Sequence, residues 1–373
     1  MLRRIRPISI LCALVAATFA LSACNRNVGS PDIAPHLIST PEAEPVRPVD
    51  AFEECELSEL SSASGDIPDS EYRARVEELY NIVVHDGKKP IFRDNDPVRD
   101  IYDAARDILD NYILNAWHDD AAGEYNIVHT IHDYLAVNIE YDFELYDKYM
   151  ANQTEFDGDP AFSIDGVFIN KLAVCDGLSR AFCFLAAIEG VECTRETGMF
   201  DGISHAWNRV RVGEEYYNVD VTADAAHYRI GSGGYKKQLS HGFFMISDNT
   251  LRSFMPKRHE PVDTMPIHPA VSDGDYYSNK MMTVGGQTFP CVITDQDMLN
   301  RLFTAVSEQN GKVGKLEVKL AFEGKLYVND ADMYREEIAA AYSRLKNPDF
   351  EPTATQTPYF QYPNGVYLFL MYV

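Results

Sequence analysis

Three side chains in the middle of the chain have the types needed for covalent chemistry: Cys175, His205 and Asp220. A thiolate is a strong nucleophile. An imidazole can take the thiol proton and return it to a leaving group, provided that a third group, typically a carboxylate, holds it in one tautomer. Together they would attack a carbonyl carbon and pass through an acyl-enzyme. That chemistry depends on position, so the elements that carry the three residues matter most.

Cys175 opens the apolar run Cys175-Asp176-Gly177-Leu178-Ser179-Arg180-Ala181-Phe182-Cys183-Phe184-Leu185-Ala186-Ala187-Ile188, which Gly190 closes. The pattern predicts a helix whose first residue is the thiol. A helix start carries partial positive charge, which favours thiolate, and free N–H groups, which can receive an oxyanion. Three strand-like runs follow, Val191 to Phe200, Ser204 to Val212 and Tyr216 to Ala223. Gly213-Glu214 separates the last two and predicts a hairpin. A two-residue turn sets Val212 opposite Glu215, His205 opposite Thr222 and Trp207 opposite Asp220. His205 and Asp220 then become diagonal neighbours on one face. A slip of one residue would part them.

Upstream, helical spacing covers Ser70 to Tyr80, Pro97 to Trp117 and Glu124 to Val137. Asn152 to Gly166, rich in Asp, Gly and Pro, reads as loop. From about Asp263 the texture changes to short strands (Met281 to Val284, Leu316 to Phe322, Val366 to Val373) around helices near Asp295 to Gln309 and Asp332 to Leu345. This predicts a smaller C-terminal α/β domain.

The first residues differ in kind. Arg3, Arg4 and Arg6 precede an apolar stretch from Ile8 to Leu21 that ends in Leu21-Ser22-Ala23-Cys24. This reads as a secretory leader of residues 1–23, and its ending resembles the lipobox of bacterial lipoproteins, which implies a lipid on Cys24. The expected location is the outer face of the cytoplasmic membrane, or the periplasmic side in a cell with two membranes. Five prolines between Asn25 and about Val49 predict an extended tether, residues 24–50.

The chain has 33 basic and 57 acidic side chains, a net charge of −24. Such an acidic surface argues against nucleic acid as a partner. Beyond the leader and Cys24 the cysteines are Cys55, Cys175, Cys183, Cys193 and Cys291, an odd number that leaves at least one free thiol if the rest pair. Cys183 and Cys193 read as core. His129 and His132 lie three apart on a helix but lack an evident third ligand, and Asp94-Asn95-Asp96 and Asp157-Gly158-Asp159 lack EF-hand spacing. No metal and no cofactor is expected. Arg209 and Arg211 alternate along the hairpin, where they could meet a substrate carboxylate or pair with surface acids.

The strings Ser163-Ile164-Asp165-Gly166 to Ala173-Val174-Cys175-Asp176-Gly177, then Ser204-His205-Ala206-Trp207-Asn208-Arg209-Val210, then Tyr217-Asn218-Val219-Asp220-Val221-Thr222 resemble the bacterial transglutaminase-like superfamily, over about residues 125–228. Each string alone is weak and their order as a set is specific. The resemblance implies an α+β, papain-like core with a helix-borne Cys packed on an antiparallel sheet. The catalytic domain would span 121–262, with helices of 51–120 packed on it and the small α/β domain over 263–373. It implies Cys175 as nucleophile, His205 as general base and acid and Asp220 as orienter, with Trp207, Ser163, Asp165 and Asp176 beside them. Amide bonds of peptides, proteins or cell-wall stem peptides would be the substrates, by hydrolysis or acyl transfer. The alternative is a non-catalytic surface scaffold on the same fold. Two departures stand out: Asp165 where many relatives carry an aromatic residue, and Ala223 where they carry tryptophan.

Overall fold

The computed structural model describes residues 48–60, 68–112, 121–151, 158–200, 202–229, 235–239, 241–253, 259–261, 274–308, 314–320, 322, 335–342, 359–362 and 365–372. The leader, Cys24 and most of the tether lie outside them. Pro48–Ala51 already forms a 3-10 turn whose Val49 is fully buried. The end of the stretch read as tether is thus structured, because Val49 there reaches the core.

Along the chain, β1 (Glu54–Glu56) pairs in parallel with β2 (Lys89–Ile91) around α1 (Asp69–Tyr80). Next come α2 (Arg99–Tyr112) and α3 (Ala121–Asn138). β3 (Glu140–Tyr141), α4 (Phe143–Met150) and β4 (Leu172–Ala173) follow, β3 and β4 in parallel. The thiol-bearing helix is α5 (Cys175–Ile188), and Gly190 after it takes φ +71°, the left-handed conformation a helix C-terminus favours. It leads into β5 (Cys193–Phe200), β6 (Ile203–Val212), β7 (Glu215–Val219) and the single turn α6 (Val221–Asp224). A hairpin of β8 (Ala225–Arg229) and β9 (Tyr235–Leu239), then α7 (Asp248–Ser253) and β10 (His259–Pro261), complete this part.

Four strands form the antiparallel sheet that matters here, in the order β10-β5-β6-β7. Val212 pairs with Glu215 across Gly213, whose φ is +65°. That is the expected register. The ladder nevertheless stops at Asn208 opposite Val219. Asp220 leaves the strand because its carboxylate caps α6, accepting from the Ala223 N–H at 3.0 Å. Thr222 therefore belongs to a helical turn and faces no strand partner, contrary to the reading of a strand up to Ala223.

Side chains alternate along β6. Val210 joins the main core with α1, α2, α3 and α5, while Trp207 packs with Phe243, Ile246 and Leu251 in a second cluster. Asn208 fixes α5 against the sheet, donating to the Ser179 carbonyl at 2.9 Å and reaching Cys183 Sγ at 3.2 Å. Downstream, β11 (Met281–Val284) and β12 (Gln287–Pro290) form a hairpin, and β13 (Val292–Ile293), β14 (Gly314–Leu320), β16 (Gly365–Tyr372) and β15 (Tyr359–Tyr362) form a sheet in that order. β11 to β14, with α8 (Gln296–Ser307) and α9 (Arg335–Tyr342), contribute to a separate core around Phe289, Leu299, Leu302 and Phe303. Tyr277, earlier in sequence, stays with the main core. Among the described residues no helix is long and apolar enough to cross a membrane.

Candidate active site

Cys175 is the first residue of α5 and is partly exposed. The preceding Val174 caps the helix with backbone alone, so no side chain competes for the first-turn N–H groups. Gly177 lets this helix start press against the turn Pro160–Phe162: a Cβ there would collide with the Ala161 carbonyl oxygen. The same oxygen accepts from the Val174 N–H at 3.0 Å, which fixes the chain just before the thiol.

His205 lies three residues past the end of the β6/β7 ladder, where the edge of β6 has no β7 neighbour. Its Nε2 is 2.7 Å from Asp220 Oδ2, and the Cys175 thiol is also among the groups that favour its charged form. Burial opposes charge on His205, but Asp220 and the hydrogen bonds outweigh it and push its pKa up to about 10. Asp220 is 1% exposed. Burial alone would raise its pKa, yet the charge of His205 and the donors around it hold it well below the ordinary carboxylate range.

A residue with no local signal in the sequence completes this arrangement. His259, from β10, donates through Nε2 to the same Asp220 Oδ2 at 2.7 Å. Burial lowers its pKa and keeps it neutral despite Asp220, and its Nδ1 has no hydrogen-bond partner among the described residues. Phe200 packs at a tilt against both imidazoles, with ring centroids 5.2 Å from His205 and 4.7 Å from His259. Phe243 closes over His259 at 5.3 Å. These rings keep water from the carboxylate, which strengthens its attraction for His205.

Trp207 lies two residues from His205 on the same strand, buried, its ring 6.2 Å from the imidazole and its Nε1 donating to Asn218 Oδ1 at 3.4 Å. Ser163, Asp165 and Asp176 meet elsewhere around the helix start, lining a cavity of about 390 Å³ with Arg73, Glu77 and Arg180. Asp176 is held by Arg195, whose Nε donates to it at 2.5 Å. Asp165 is buried, its Oδ1 lacks a hydrogen-bond partner among the described residues, and burial raises its pKa. Arg209 and Arg211 serve internal pairs: Arg209 reaches Asp248 at 3.4 Å and Arg211 reaches Glu192 at 3.6 Å. Asp96 is taken by the buried Arg75 at 2.5 Å.

A thiol on a helix start, an imidazole on a strand and a carboxylate at the end of the next strand all belong to this α+β unit. Residues 113–221 match the Transglutaminase-like superfamily, a segment that contains all three side chains. Members of that superfamily are commonly cysteine-based acyltransferases or peptidases. No curated protein matches the chain. A solved structure described as "Crystal structure of a TGase" is similar over 43% of this chain and 42% of that one, at 18% identity and a TM-score of 0.29. The similarity spans less than half of either chain.

Proposed function

We propose that the protein is a thiol enzyme that cleaves or transfers acyl groups at amide bonds, with Cys175, His205 and Asp220 as its triad. The observation that carries this reading is the 2.7 Å contact between His205 Nε2 and Asp220 Oδ2, on an imidazole whose charge the helix-start thiol Cys175 also favours. Sγ, its proton already held by the charged His205, attacks the carbonyl carbon, and the N–H groups at the start of α5 receive the oxyanion. The C–N bond then breaks as His205 gives the proton to the leaving amine. Water or a second amine, deprotonated by His205, releases the acyl group from sulfur. Trp207 packs the base in place, while Ser163, Asp165 and Asp176 line a neighbouring cavity that the triad does not reach.

The leader and the Leu21-Ser22-Ala23-Cys24 ending support an exported protein held on the bilayer through Cys24. Its substrates would be peptides or proteins outside the membrane, including cell-wall stem peptides. The small C-terminal α/β unit and the helices before the core complete the proposed division of the chain.

A glutamine-containing peptide, with and without a labelled primary amine, tests the reading by mass spectrometry. Amine incorporation, deamidation or chain scission must each vanish in Cys175→Ala and His205→Ala. Labelling of Cys175 by iodoacetamide at the same rate in the folded and the urea-unfolded chain would overturn the activated thiol and leave a scaffold on the same fold.

A further inference from the structure

A second cluster of imidazoles and carboxylates lies apart from the triad, and the proposed reaction does not use it. His129 and Asp133 are one turn apart on α3, and His241 comes from the segment after β9. One ligand atom from each lies within 4.8 Å of the other two. His241 Nε2 is 2.5 Å from Asp133 Oδ1, while His129 Nδ1 stands 3.7 Å from Asp133 Oδ2, too far for a hydrogen bond. The His129 and His241 rings are 4.9 Å apart, both against Phe244.

The histidine pair His129 and His132 had lacked a third ligand in the sequence. The structure divides it. His129 faces Asp133 and His241, whereas His132 is fully buried behind them, with Nδ1 3.1 Å from Asp133 Oδ1 and Nε2 3.1 Å from Asp224 Oδ2. Metal-bound carboxylates are typically held from behind in this way by a hydrogen-bonding partner. His129 has a side chain 25% exposed, and Asp133 and His241 are buried.

We propose that His129, Asp133 and His241 bind a divalent ion of the zinc class, with a fourth position open to solvent on the His129 side. Two imidazoles and one carboxylate suit zinc and its neighbours, and are poor ligands for calcium or magnesium. Bonds of about 2.0–2.2 Å place tetrahedral donors a little over 3 Å apart, closer than the present spread. Rotation of the side chains on α3 supplies that closure. Binding would put the ion where His241 Nε2 now meets Asp133 Oδ1. Asp224 closes α6, the turn that Asp220 opens, so the site is tied through His132 to the element that carries the triad carboxylate.

Cobalt(II) titration of the metal-stripped full chain in a Cys175→Ala background tests this without any reading of activity, and removes the reactive thiol as a ligand. The expected result is one equivalent bound with the intense visible absorption of a four-coordinate ion, displaced by zinc. His129→Ala, a change at a partly exposed position, should weaken binding by at least ~100-fold with unchanged circular dichroism, and His241→Gln should do likewise. Loss of His132, which holds the carboxylate from behind, should cost ~10–100-fold. No bound equivalent, or binding unchanged in His129→Ala, would overturn the site and leave a hydrogen-bonded His/Asp network only.

Discussion

His259 Nε2 lies 2.7 Å from Asp220 Oδ2, the oxygen that also receives His205. Asp220 Oδ1 is occupied too, by the Ala223 N–H. The carboxylate is thus held on both oxygens, and its charge is divided between a charged and a neutral imidazole.

His259→Phe should separate tuning from folding. Phenylalanine fills the pocket between Phe200 and Phe243 and removes one donor from Asp220. The carboxylate then draws the His205 proton more strongly, which makes His205 a poorer acid toward the leaving amine. We expect turnover to fall by about 10-fold, on the order of 1.4 kcal/mol, with KM little changed. The alkaline limb of the Cys175 alkylation profile should move to higher pH. An unchanged profile with lowered thermal stability would make His259 a packing residue.

The charged pair also makes stability depend on pH. His205 has its folded pKa raised to about 10, above the unfolded imidazole value of ~6.5. Its contribution is therefore complete below ~6.5 and is lost as pH rises through about 10. Asp220 is shifted down, so its contribution is present above ~3.9 and is lost as pH falls below that. Urea midpoints should hold near neutral pH and decline toward pH 10, and His205→Gln should flatten the alkaline decline. A wild-type midpoint constant across that range would refute the pairing.

The parts of the site built from local pattern were legible in the sequence. The apolar run after Cys175 and its closing Gly190 gave the helix, and Gly213 gave the register of β6 on β7. The point where β7 ends was not, because the Asp220 backbone could either extend the ladder or turn into α6, and the cap from its carboxylate to the Ala223 N–H favours the turn. His259 and His241 were illegible for another reason. Each meets its carboxylate across a large separation, 39 residues to Asp220 and 108 to Asp133, and neither lies in a periodic or motif-bearing string. Tertiary packing alone brings them there. Arg209 and Arg211 had both a substrate reading and a surface-pair reading, and the acids Asp248 and Glu192 decide for pairing.

Gly177→Ala sets two effects against each other. Alanine favours a helix interior by about 1 kcal/mol over glycine. Its Cβ would meet the Ala161 carbonyl oxygen, which is backbone and already bonded to Val174. Overpacking of that kind costs ~1–3 kcal/mol, so the clash wins. The helix start must shift, and Cys175 with it. We expect a lower melting temperature together with slower alkylation of Cys175; a stabilised variant with full thiol reactivity would show that the turn 160–162 yields freely.

Cys183 Sγ and Cys193 Sγ stand 3.4 Å apart, and Asn208 Nδ2 touches both at 3.2 and 3.6 Å. Burial pushes the Cys193 thiol well above its usual range, so Cys193 is a poor nucleophile at neutral pH, and Cys183 is shut away in the core. Close approach still favours their joining when a two-electron oxidant such as diamide removes two electrons and two protons. The pair is ten residues apart, and closing so short a loop stabilises the fold by about 2–3 kcal/mol where the geometry is unstrained. A non-reducing peptide map of the oxidised chain should show Cys183 linked to Cys193, with a raised urea midpoint and Cys175 still open to iodoacetamide. Oxidation that consumed Cys175 first would mean that α5 and β5 hold the two sulfurs apart more firmly than their contact implies.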